Sequence, residues 1–275
     1  MQVGAEATPR GLRGKPDATD TCGRAPRKEE VVILPDVRSY FGRDDAAQLI
    51  RLLAGAGEDR GALETLVAER GIDPLLDHPA MAEAIRDEPG VSRLPLELVS
   101  YVLLRRSLLD GGVESRLLAD YVTSVFLHFA AAGRADRITE HDDVDYRYLV
   151  DIVQDLRDAG GRRAFLLRAH LGNLALWLSG LFPDWIGRRV RRKGGPDLRY
   201  YEEMGQTGFR LAADDPFARR QRLDGLFRDA AVSFSPMRRA LNSFSDRFLT
   251  PRPESPVDRL LRQATDDFET GWLQA

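Results

Sequence analysis

The span from Ala164 to Phe182 is the most apolar in the chain, yet Arg168, His170 and Asn173 interrupt it. A membrane-crossing helix needs about twenty predominantly apolar residues, and charged groups at that depth are costly. The uninterrupted part, from Leu174 to Phe182, is too short for that role. The span is therefore expected to be the buried central helix of a water-soluble helical body, with no membrane crossing. His170, Asn173 and Trp177 fall at i, i+3 and i+7 and share one face of it, while Arg168 lies off that face. Polar groups inside a core must find hydrogen-bond partners. That face is expected to meet a polar neighbour or to line a ligand pocket.

Proline punctuation supports a chain built of helices. Proline suits the first turn of a helix, where its locked φ fits and its missing N–H costs nothing. Pro79, Pro95, Pro183, Pro196, Pro216, Pro236 and Pro256 all stand where helical periodicity begins, several behind a capping Asp or Ser. Gly71, Gly111-Gly112, Gly133 and Gly160-Gly161 close other segments. In 114–132, Leu117, Leu118, Tyr121, Val122, Val125, Phe126 and Phe129 form a broad apolar stripe of helical period. Tyr148, Leu149, Ile152, Val153 and Leu156 form a narrower one in 144–158. The only strand-like run, Val31 to Leu34, is too short and isolated to build a sheet and is expected to pack as an extended lead-in. The expected fold is all-α, a single irregular helical bundle of about ten helices.

Residues 1–30 read differently. They mix six basic with five acidic side chains and carry only Met1, Val3 and Leu12 as large aliphatic or thioether groups. Such a segment buries too little to offset its ordering entropy. It is expected to be a disordered extension ahead of a helical domain over 31–275, in which a sub-boundary would fall near 133–143. No apolar targeting run is visible, so a cytoplasmic location is expected.

Composition then excludes whole classes. Cys22 is the only cysteine, so neither an internal disulfide nor a cysteine-rich zinc site is open to the chain. The balance of 43 acidic against 40 basic residues, net −3, argues against a broad nucleic-acid surface. Basic residues are 37 Arg to three Lys (Lys15, Lys28, Lys193), a bias that fits GC-rich coding. Glycine-rich phosphate loops, a Gly-x-Ser-x-Gly elbow and His-Glu-x-x-His are all absent from the sequence.

Four local features carry residue types suited to chemistry. The first is the polar face of 164–182, with His170 as donor, acceptor or base and Trp177 as an apolar wall. The second is Arg188, Arg189, Arg191, Arg192 and Lys193, five cations in six residues, read as a basic loop before the helix that begins near Pro196. It would offer an anion- or partner-binding surface, with amides of the next helix as added donors. The third, Glu140 to Asp145 around His141, has metal-ligand residue types, but carboxylates ahead of a helix are what its dipole selects. The fourth is Tyr200 to Met204, where Tyr201 is expected to pack and Glu202 and Glu203 to face solvent or pair with arginines.

The run Asp151-Ile152-Val153-Gln154-Asp155-Leu156-Arg157-Asp158-Ala159-Gly160-Gly161-Arg162 resembles the second aspartate motif of the squalene and phytoene synthases. That resemblance covers about twelve residues, and a partner aspartate-rich motif is missing from 31–110. It implies an all-α, magnesium-dependent enzyme in which Asp151 and Asp155 hold metal for a diphosphate. The leading expectation is instead a soluble adaptor or regulatory protein without a cofactor or a catalytic set. It would bind a protein partner or an anionic ligand through Arg168, His170, Asn173, Trp177, Arg188, Arg189, Arg191, Arg192 and Lys193. Nucleic acid is disfavoured as that partner.

Overall fold

The computed structural model describes residues 32–130, 146 and 148–249. Expectations for the 1–30 extension, the 133–143 sub-boundary, the Glu140–Asp145 cluster and a last helix over 256–273 fall outside those residues.

Among the described residues the chain is all-α. After a 3-10 turn at Val37–Tyr40 come α1 (Arg43–Gly55), α2 (Arg60–Arg70), α3 (Asp73–Leu76) and α4 (Met81–Asp87). The middle of the chain gives α5 (Leu96–Asp110), α6 (Arg116–Ala130), α7 (Leu149–Asp158), α8 (Gly161–Leu181) and α9 (Pro183–Lys193). Then follow α10 (Leu198–Ala213), α11 (Pro216–Gln221), α12 (Asp224–Val232) and α13 (Phe234–Phe244). Among the described residues thirteen α-helices stand where the periodicity predicts about ten, because short helices such as α3, α4 and α11 carry too few turns to show a stripe. Residues 32–34 belong to no helix or strand and are half-buried against the core.

Local chemistry sets the boundaries. Pro183 and Pro216 open α9 and α11, and Pro95 caps α5. The Asp59 carboxylate accepts from Ala62 N at 2.6 Å and that of Asp215 from Phe217 N at 2.8 Å, satisfying otherwise orphaned helix-start amides. Gly71 takes φ +75° at the end of α2, a conformation costly for residues with a Cβ.

The core forms around α8, which packs against α7, α10 and α13, while α5 packs on α6 and α13. Nearly every residue of α8 from Ala164 to Leu181 is buried. Rings fill the space about it: Tyr121 lies 6.1 Å from Phe209 and 5.8 Å from Phe227, and Phe165 lies 5.8 Å from Phe227. Such edge-to-face and offset pairs add to the burial of their apolar area. Among the described residues no single helix is long and apolar enough to cross a membrane; α8 and α9 together reach that length but are bent by 90° where they join.

The N-terminal helices are tied on by charge. Arg105, 4% exposed, donates to Asp77 at 2.7 Å, and Arg116 reaches the same carboxylate at 2.6 Å. Arg38 pairs with Asp73 at 2.5 Å, and its backbone N–H donates to the buried Asp120 at 3.0 Å. These pairs bring together α3, α5 and α6, elements far apart in sequence.

Candidate functional site

The polar face of α8 points inward and is mostly satisfied. Asn173 Oδ1 accepts from the Tyr121 hydroxyl at 2.5 Å, both groups fully inside. The Trp177 ring sits among Phe126 at 6.0 Å, Phe129 at 5.5 Å and Phe182 at 5.8 Å. His170 packs between the rings of Phe129 and Tyr146, at 5.8 and 6.0 Å. Its Nε2 is enclosed without a protein partner. Beside it lies a cavity of about 20 Å³ that Tyr121, His128 and Asn173 also line. A space of that size takes roughly one water and no organic ligand. The structure therefore brings His170 and Asn173 together, and among the described residues the space they share is too small for a ligand. Arg168 is elsewhere, paired with Asp215 at 2.5 Å on the outer side of α8.

Enclosure gives His170 a testable signature. Burial, with smaller pushes from His128 and Arg163, lowers its pKa from 6.5 to about 3. On unfolding it regains its ordinary affinity for protons. Between those two values the unfolded chain binds a proton that the folded chain refuses, so this contribution to stability is intact above pH 6.5 and is lost as pH falls towards about 3. His170→Gln is expected to make the unfolding free energy less steep over that window. Equal slopes for parent and variant in denaturant titrations would show that the folded imidazole accepts a proton after all.

The aspartates of the synthase-like run are placed apart from this cavity. Asp155 is exposed and accepts from the Tyr146 hydroxyl at 2.5 Å, and that oxygen in turn accepts from Arg163 at 2.9 Å. Asp151 is half-buried in the first turn of α7. Neither lines the cavity beside His170. Among the described residues no three His, Cys, Asp or Glu side chains are grouped to hold a metal ion.

The basic cluster corrects a sequence expectation. It is not a loop: Arg188 to Lys193 form the C-terminal half of α9, which Gly194 ends in the left-handed conformation with φ +59°. Arginine is a good helix former, and Trp185, Ile186 and Val190 supply an inner face that buries against the core. Cations in the last turns also suit the negative end of the helix dipole. Of the amides at the start of α10, expected as anion donors, that of Tyr200 is already engaged, donating to the Asp197 carboxylate at 2.9 Å.

The five cations divide by role. Arg189 is an anchor: its guanidinium lies 4.7 Å from the Tyr148 ring centroid and 4.9 Å from that of Trp185. Two such contacts hold a planar cation against aromatic faces. Arg188, Arg191, Arg192 and Lys193 are exposed. None of these four forms an ion pair among the described residues, whereas Arg38, Arg105, Arg106, Arg116, Arg168, Arg199 and Arg238 all do. The role of Tyr148 was missed because its spacing put it in the apolar stripe of α7; it is 43% exposed and serves α9 instead. Glu202, for which the sequence allows either solvent or an arginine partner, is buried against Arg238 at 2.5 Å.

Comparisons of the chain with models of known protein families, with characterised proteins and with solved structures give no match.

Proposed function

We propose that the protein is a binding protein, an adaptor or regulatory subunit, whose helix α9 docks an acidic segment of a protein partner. The observation that supports this reading is the set of four exposed cations, Arg188, Arg191, Arg192 and Lys193, unpaired among the described residues on a helix anchored through Arg189. A chain with 43 carboxylate side chains has ample means to neutralise such a run internally. Leaving it open on a fixed helix favours an outside anion, since complementary charge speeds encounter and sets register. The net charge of −3 favours an acidic protein segment over a nucleic acid. The magnesium-dependent alternative draws no support from the interior, where Asp151 and Asp155 share no cavity with His170 and Asn173.

The test uses a fluorescein-labelled decaglutamate peptide followed by anisotropy at two salt concentrations. The parent chain is expected to bind saturably and more weakly as salt rises. Replacing Arg188, Arg191, Arg192 and Lys193 by Ser removes four exposed charges, each worth roughly 0.2–1 kcal/mol. The affinity is expected to drop about tenfold or more, while the melting temperature stays close to that of the parent. Equal affinity in parent and variant, or no saturable binding by the parent, would remove α9 from the account.

A further inference from the structure

We propose that the cleft between the start of α8 and α11 is a second site, which takes a small organic phosphate with a flat apolar body. It lies apart from the exposed cations of α9 and holds about 620 Å³, within the roughly 300–1,000 Å³ of small-molecule sites. Its walls divide into an apolar surface and a set of guanidinium groups. Ala159, Gly160, Gly161 and Ala164 add little side-chain bulk, and the half-buried ring of Phe217 offers a flat surface. Arg162 and Arg220 stand 5.7 and 5.9 Å from the centroid of that ring. Arg168, the third guanidinium of the lining, keeps its enclosed Nε without a hydrogen-bond partner.

Among the described residues one carboxylate lines the cleft, and it is engaged at both oxygens. Asp215 Oδ1 accepts from Phe217 N at 2.8 Å and Oδ2 from Arg168 at 2.5 Å. Arg220 forms no ion pair among the described residues, so its guanidinium stands open beside the aromatic face. Guanidinium groups recognise phosphate oxygens in pairs and tolerate stacking, and an aryl or heteroaryl body fits against a phenyl ring. The first turn of α8 adds to this field, since it has no acidic side chain and no side-chain cap on its amides.

The experiment is an NMR titration of the full isotope-labelled chain with phenyl phosphate and, separately, with inorganic phosphate. The expected result is saturable shifts at Gly161, Arg162, Phe217 and Arg220, with phenyl phosphate bound more tightly. Arg220→Glu, at an exposed position, is expected to weaken phenyl phosphate about tenfold, in line with the loss of one charge-assisted contact. The four-serine α9 variant is expected to bind it as the parent does, which separates this site from the peptide-docking proposal. The inference is overturned by an absence of saturable shifts at these residues, by unchanged affinity in Arg220→Glu, or by shifts that move to α9.

Discussion

Gly208→Ala is expected to destabilise the protein by about 2 kcal/mol, although alanine is the better helix former by about 0.5–1 kcal/mol. A Cβ at Gly208 would lie 2.7 Å from the backbone nitrogen of Gly172 and 2.9 Å from the carbonyl oxygen of Arg168. Backbone atoms of a packed helix cannot swing aside as a side-chain tip can. The added methyl must force α8 and α10 apart, and overpacking of this kind costs roughly 1–3 kcal/mol or more. The same close approach recurs along the pair. A Cβ on Gly205 would meet Ala175 of α8 at 3.0 Å as well as the Phe234 ring of α13, and one on Gly172 would meet the Phe209 ring of α10. Gly225 supplies the control: on α12 nothing lies within 4 Å of its Cβ direction, so Gly225→Ala is expected to stabilise by about 0.5 kcal/mol. Urea unfolding of both variants decides the matter. If Gly208→Ala proved as favourable as Gly225→Ala, α8 and α10 would not touch where the structure has them touching.

Glu202→Ala is expected to cost more, about 3–5 kcal/mol, because it removes the carboxylate that pairs with a fully buried guanidinium. The side chain of Arg238 is 0% exposed and that of Glu202 is 8% exposed, and the two meet at 2.5 Å. The Ser235 hydroxyl donates to the other carboxylate oxygen at 3.1 Å. Removing one partner leaves an enclosed charge without its main counter-ion, whereas removing both leaves apolar volume to be repacked. Glu202→Leu combined with Arg238→Leu is therefore expected to recover most of the loss. The neighbouring Glu203 is exposed and pairs with Arg199 one turn away on the same helix at 2.8 Å, an arrangement worth about 0.3–0.5 kcal/mol. Adjacent glutamates thus differ several-fold in effect. Thermal or denaturant unfolding of Glu202→Ala and Glu203→Ala, measured side by side, checks this; similar losses in the two variants would contradict the buried pair.

That contrast shows what could be read from the sequence and what could not. The apolar stripe over 114–132 matches α6 (Arg116–Ala130), and the span from Ala164 to Phe182 is the core of α8, because burial of one helix face imposes a local period of 3.6. Pro183 and Pro216 marked real helix starts for an equally local reason. The Glu202–Arg238 pair joins residues 36 apart, and no period links them. Arg105 and Asp77, 28 apart, were hidden in the same way. The basic run reads as a loop because five cations in six residues look solvated, while the inner face of Trp185, Ile186 and Val190 that makes the segment a helix is only a few residues wide. His170 and Asn173 were rightly placed on one face. What spacing could not give was the volume beside them, which depends on how Tyr121 and His128 approach from α6.

The reading of this protein as a binding protein rests on one division: α9 meets the partner from outside, and the polar face of α8 stays closed. Hydrogen exchange of the full chain, with and without the decaglutamate peptide, tests that division most directly. The account expects added protection over Pro183–Lys193 and around Tyr148, with the amides of α8 near His170 and Asn173 unchanged. Protection that appears along α8 while α9 exchanges as before would contradict it.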